Sequence, residues 1–154
     1  MIILDHNIAE DQAEQLRRWH LHFRQIGYEI GRPEWDDQQE ILRYLHGAKR
    51  STFLTRDLGF FHPKFCHSNY CLVVVASSVL ETASLIRRFL RHPDFRTYAS
   101  RAGKVVKLSS IKIYWWERGR NYQQSLACKR RSFFIARRKT HQASSPVLKR
   151  IPPE

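Results

Sequence analysis

Cysteine is scarce in this 154-residue chain, and Cys66, Cys71 and Cys128 are odd in number with no CxxC spacing. That argues against a disulfide framework and for reduced thiols. Long apolar runs are missing too. The longest, Cys71 to Ala76, falls far short of the roughly 20 residues a spanning helix needs, so no membrane partner is expected. Asp5 and His6 interrupt the apolar start, so no secretory signal is expected and the chain reads as cytoplasmic. Acids are in short supply, 14 against 27 Lys and Arg, for a net charge of +13. No internal repeat is present, and the length is one domain's worth, enough to bury roughly two-thirds of the unfolded surface.

The positive excess is uneven. Arg118 to Glu154 holds ten Lys or Arg and one acid, a net +9, which leaves +4 for residues 1 to 117. The expected division is a folded domain over 1–117 and a basic C-terminal extension over 118–154. Runs of like charge such as Lys129-Arg130-Arg131 are usually solvated, so disorder or a partner-ordered helix is the default reading of the extension.

What is present reads as alternating strands and helices. Ile2 to Leu4 is a short apolar run ending at Asp5, which suits a buried strand. Asn7-Ile8-Ala9-Glu10 offers a capping box. Ala13, Leu16, Trp19, Phe23 and Ile26 follow at steps of three and four, predicting a helix closed by Gly27. Tyr28 to Ile30 is a candidate strand. A second helix is predicted from Asp36 or Asp37 to Leu45 or His46, then a strand over Ser51 to Thr55 and an irregular segment through Phe60-Phe61-His62-Pro63. Cys71 to Ala76 has no polar side and reads as a central strand buried on both faces. Ser78-Val79-Leu80-Glu81 predicts a capped helix with Val79, Thr82, Ile86 and Phe89 or Leu90 inward, ended by His92-Pro93. Lys104 to Leu108 and Ile111 to Trp116 read as two final strands, with Trp115 and Trp116 on opposite faces. This order predicts an α/β fold, a three-layer sandwich with a mostly parallel central sheet, plus the basic tail.

Three acidic stretches fall where a strand should end or a helix begin: Leu4-Asp5-His6-Asn7, Asp36-Asp37, and Thr55-Arg56-Asp57. Residues just past the carboxyl ends of neighbouring parallel strands converge on one crevice. Two carboxylates about 4 Å apart repel by roughly 4 kcal/mol at an effective dielectric near 20, so such a cluster calls for a cation or a shared proton. Asp5, Asp37 and Asp57 are the candidate metal-ligating and catalytic set. Asp36 reads as an N-cap with Gln39 completing its capping box, and Asp37 either favours the helix dipole or turns to the site. Glu40 lies one turn on, on the same face as Asp37. Asn7 reads as a cap whose amide also reaches toward a metal-bound water. Thr55 and Arg56 are candidates to hold a phosphate or to fix Asp57, and Lys129, Arg130 and Arg131 to attract RNA. His6, His62, Cys66, His67 and Cys71 invite a zinc reading, but their spacing matches no common template.

In this order and at these separations the three stretches resemble the PIN-like (PilT N-terminus-like) superfamily, and more narrowly its small toxin-like branch. The matching residues are Leu4-Asp5-His6-Asn7, Asp36-Asp37 before Ile41-Leu42, and Thr55-Arg56-Asp57 before Phe60-Phe61, over roughly residues 2 to 116. His6 stands where relatives often carry an acid. The resemblance implies a metal-dependent endoribonuclease using Mg²⁺ or Mn²⁺, frequently the toxin of a toxin–antitoxin pair. Its implied partners are single-stranded RNA and an antitoxin protein, with assembly into a homo-oligomer left open. Two rival readings remain: a catalytically silent PIN-like module that binds RNA or a protein partner, and a small DNA-binding protein led by its basic tail.

Overall fold

The computed structural model describes residues 1–35 and 38–128. Asp36, Asp37, Lys129, Arg130 and Arg131, with the rest of the basic run, lie outside the described residues. The chain forms β1 (Ile2–Leu4), α1 (Glu10–Arg18), β2 (Arg24–Gln25), α2 (Gln38–Gly47), β3 (Ser51–Thr55) and β4 (Tyr70–Val75). It continues through α3 (Thr82–Arg91), α4 (Tyr98–Arg101), β5 (Lys104–Leu108), β6 (Lys112–Glu117) and β7 (Gln124–Ala127). The fold is mixed α/β. One sheet runs in the order β2-β1-β3-β4-β5-β6-β7, parallel from β2 to β5 and antiparallel at β6 and β7.

The side-chain alternation of the inner strands explains why they are inner. Leu4, Leu54, Val73, Val75, Val106 and Leu108 face one side, where Leu16 of α1 and Ile86 and Phe89 of α3 cover them. Ile3, Phe53, Leu72, Val74 and Val105 face the other, against Ile41 and Leu45 of α2 and Phe60. Every residue of β3 and β4 is buried, as expected for strands covered on both faces. Trp115 packs with the first cluster and Trp116 with the second, so the two indoles do point to opposite faces. Phe53 is fully buried and meets the Phe60 ring edge-on at 5.5 Å. Phe53→Ala is expected to lower the free energy of unfolding by about 3–5 kcal/mol, read as a lower urea midpoint at an unchanged slope.

The first helix is shorter than its apolar spacing predicts. It closes at Arg18, and His20 takes the left-handed conformation with φ 60°. The His20 N–H bonds to the Arg17 carbonyl at 2.8 Å and the Leu21 N–H to the Leu16 carbonyl at 3.1 Å. These are the paired bonds of a Schellman C-cap, with Leu21 and Leu16 together in the core. Released from the helix, Arg24–Gln25 pairs with β1, and Ile26 forms a lone bridge with Ile30 where a strand over Tyr28 to Ile30 is predicted. The predicted N-cap is corrected as well. Ala9 occupies that position without a side-chain bond, Asn7 turns elsewhere, and Glu10 pairs with Arg17 at 2.7 Å.

Before α3, a 3₁₀ turn over Val79–Glu81 replaces the predicted first helical turn, leaving Val79 exposed. Two elements have no counterpart in the sequence reading. Thr97 caps α4 by accepting from the Ser100 N–H at 3.1 Å. This places the buried Arg101 guanidinium against the carbonyls of Phe95 (2.7 Å) and Arg96 (3.0 Å) and the Thr52 hydroxyl of β3 (3.1 Å). The sheet also continues past Glu117, through β7, to Ala127. No described helix is long and apolar enough to cross a membrane.

Candidate metal centre

In the strand order 2-1-3-4-5 the connections from β1 and into β3 run in opposite directions, with α1 and α2 on opposite faces. The gap beyond the carboxyl ends of β1 and β3 is the topological switch point, where open parallel sheets bind ligands. Asp5 follows β1 directly. Thr55 ends β3, and Arg56 and Asp57 come next.

Thr55 is the hub. Its fully buried hydroxyl donates to Asp5 Oδ2 at 2.6 Å and accepts from the Asn7 amide at 3.0 Å and from the Asp57 backbone N–H at 3.0 Å. A hydroxyl has one donor and two acceptor sites, so its capacity is filled within the protein. Thr55 therefore organises the two acids and has no capacity left to face a phosphate. Asn7 completes the arrangement, its carbonyl oxygen accepting from the Arg56 N–H at 3.0 Å. This cross-strand role is why Asn7 does not cap α1.

Asp5 is buried, and desolvation pushes its carboxyl above the usual range. The Thr55 bond, the nearby His6 charge and the backbone N–H groups of His6 and Asn7 oppose that shift without cancelling it. Its second oxygen, Oδ1, accepts no well-formed hydrogen bond, although His6 Nδ1 lies 2.8 Å away. Asp57 is different. It is exposed and caps the 3₁₀ turn Leu58–Phe60, accepting from the Gly59 N–H at 2.8 Å.

The start of α2 lies against that turn. A Cβ on Gly59 would stand 2.6 Å from Gln38 Nε2 and 3.0 Å from Asp57 Oδ1, so the Gln38 side chain reaches over the turn and would have to shift to admit a larger residue there. Glu40 is exposed on α2. Arg56 reaches the other way along the sheet ends, donating from Nη2 to the Ser77 carbonyl after β4 at 3.0 Å. Its Nε is buried without a partner among the described residues.

The structure thus brings together Asp5, Asn7, Thr55, Arg56 and Asp57. The zinc reading gains nothing: Cys66, Cys71 and Cys128 are free, Cys71 is buried in β4, and His67 stacks on Tyr70 at 5.1 Å. Among the described residues no three His, Cys, Asp or Glu side chains are gathered to hold an ion. What the crevice offers is one buried carboxylate oxygen lacking an aligned donor and an imidazole nitrogen beside it, while Thr55 ties in the Asp57 backbone but not its carboxylate. Two such protein ligands suit only a cation that keeps most of its ligands as water, the habit of Mg²⁺ and its neighbours. His6, named above only for the zinc reading and as a departure from the motif, stands beside Asp5 at the site, and Gln38, which the sequence pattern does not single out, lies near the Leu58–Phe60 turn. No family model, curated protein or solved structure matches this chain.

Proposed function

We propose that this chain is a metal-dependent endoribonuclease of PIN-like, three-layer architecture. It hydrolyses phosphodiesters of single-stranded RNA in the cytoplasm as the toxin of a toxin–antitoxin pair. The observation that carries this reading is the buried Asp5 carboxylate at the switch point, with one oxygen unsatisfied and the other tied through Thr55 to the backbone of Asp57. A buried carboxylate in that state is stabilised by a cation.

In this reading Asp5 and Asp57 hold Mg²⁺ or Mn²⁺, with Asp37 as the acid contributed from before α2. The bound ion supplies charge against phosphate oxygens and a coordinated water acidic enough to ionise near neutral pH. Thr55 and Asn7 fix the Asp5 carboxylate and the Asp57 backbone, so the site is organised before substrate arrives. The Arg56 guanidinium, half-buried and held at Ser77, adds positive charge toward the phosphodiester. The overall charge of +13 draws RNA without reading its sequence.

A second reading keeps the fold but not the reaction: a silent module that binds RNA or an acidic antitoxin. Asp57 favours it, because its carboxylate already serves as a turn cap. Incubation of the purified chain with labelled single-stranded RNA and Mn²⁺ separates the two. Cleavage that stops with a chelator and weakens steeply as salt rises supports the nuclease; RNA left intact at every divalent ion tried, while still bound, leaves the silent module.

A further inference from the structure

The crevice holds an asymmetry that the nuclease reading alone does not use. Of the polar atoms gathered at the switch point, nearly all are already engaged. Thr55 Oγ1 makes three bonds, Asn7 uses both ends of its amide, Asp5 Oδ2 receives the Thr55 hydroxyl and Asp57 Oδ1 receives the Gly59 N–H. Besides the buried Arg56 Nε, two atoms stand apart, Asp5 Oδ1 and His6 Nδ1, 2.8 Å from one another. The Asp5 side chain is 3% exposed and that of His6 is 37% exposed, so the carboxylate forms the floor of the crevice and the imidazole its mouth. Asp5 Oδ1 is buried yet receives no aligned hydrogen bond, so the 2.8 Å contact is not a well-directed N–H···O bond.

That separation has a second meaning. Two ligands at right angles on one ion, with bonds of about 2.1 Å, lie about 3 Å apart. The nitrogen and the oxygen therefore already stand at the spacing of adjacent ligands on a single small cation. The donor types matter as much as the spacing. Mg²⁺ prefers an all-oxygen shell and gives up water reluctantly, whereas Mn²⁺, which shares the taste for carboxylate and water, is a first-row transition ion and accepts a nitrogen donor more readily than Mg²⁺ does.

We propose that His6 Nδ1 and Asp5 Oδ1 are neighbouring ligands of the same ion, and that the imidazole makes this centre select Mn²⁺ over Mg²⁺. The inference rests on Asp5 being a metal ligand, as argued under Proposed function, and deepens that reading by naming the ion. His6 thereby contributes a ligand at the position next to Asp5, and water completes most of the shell.

The test uses the full-length chain loaded with Mn²⁺, without RNA. Electron spin echo envelope modulation detects nitrogen nuclei bonded to the ion, and calorimetric titration gives the Mn²⁺ and Mg²⁺ affinities. The wild type is expected to show nitrogen modulation that His6→Gln abolishes, with a loss of roughly tenfold or more in Mn²⁺ affinity, the scale at which metal-site contacts act. His6→Asp, which restores an oxygen donor, is expected to shift the preference toward Mg²⁺. His6 is more than a third exposed, and circular dichroism and thermal melts confirm that each variant is folded. If Mn²⁺ binds wild type and His6→Gln alike, with modulation unchanged, while Asp5→Asn abolishes binding, this inference fails and the nuclease reading stands. If Asp5→Asn leaves Mn²⁺ binding untouched, both fail.

Discussion

Replacing Asp5 with Asn is expected to stop RNA cleavage while making the metal-free protein more stable at neutral pH. Both effects come from the same buried carboxylate. Burial raises its folded-state pKa above the ordinary 3.8, so the native protein holds that proton more tightly than the unfolded chain does. The resulting stabilisation is complete below the ordinary value and is lost as pH rises through the raised one. At neutral pH the ionised group is a net burden. A buried polar atom left without a partner costs about 1–3 kcal/mol, more when it is charged, and the carboxamide removes the charge while still accepting from Thr55. The stability advantage of Asp5→Asn should therefore shrink as pH falls and vanish under acid conditions. Divalent cation should reverse the ranking. A ligand that binds only the native state adds about 2.7 kcal/mol when present at roughly 100 times its Kd, so Mn²⁺ should raise the melting temperature of the wild type and leave the variant unmoved. Thermal melts of both proteins, across pH and with or without Mn²⁺, read all of this in one series. A variant that melts lower than wild type without metal would contradict the account of Asp5.

Thr55→Val should be the most disruptive near-isosteric change in the molecule. Valine matches threonine in shape but removes one donor and two acceptor sites from a fully buried position. Asp5 Oδ2, the Asn7 amide and the Asp57 N–H are then left short of partners together. At about 1–3 kcal/mol for the buried Asp5 Oδ2, with the part-buried Asn7 amide and Asp57 N–H partly rehydrated and coupled to it, the expected loss is on the order of 2–3 kcal/mol. Thr55→Ser keeps the hydroxyl and deletes one methyl, so it should cost only about 1 kcal/mol. Urea midpoints for the pair isolate the hydroxyl from the packing. Divalent-ion affinity should follow the same order, because Asp5 is aimed by that hydroxyl. Equal stability of the two variants would mean that the bonds at Thr55 contribute little.

The parts of the fold legible in the sequence are those dictated by burial. Cys71 to Val75 has no polar residue to turn toward water, and Ser51 to Thr55 is a short run of β-formers that the sheet buries on both faces; both are strands as predicted. The positions of Asp5, directly after β1, and of Asp57, two residues after β3, follow from the same strands. The length of the first helix was not. Leu16, Trp19, Phe23 and Ile26 are spaced for a helix, but that spacing does not encode a C-cap formed by a histidine at φ 60°, nor the competing gain of pairing Arg24–Gln25 with β1. β7 escaped because Leu126 is its only large apolar residue, so no alternation marks it. The side chain of Asn7 met two offers, capping α1 or bridging to β3. Its amide has both a donor and an acceptor, and only the bridge, to Thr55 and Arg56, engages both. Three-dimensional proximity overrode the cap that the linear pattern predicts.

Arg101 illustrates a different dependence. Its positive charge is enclosed in the interior, where its bonds go to no carboxylate of the described residues; peptide oxygens from the turn after α3 and a hydroxyl from β3 surround it. A guanidinium can clasp three such acceptors at once because its donors fan out in one plane, a geometry that an ammonium group lacks. The chain between Phe95 and Ala102 is thus buttoned to the middle of the sheet by a single side chain, and the crossover into β5 is anchored from within.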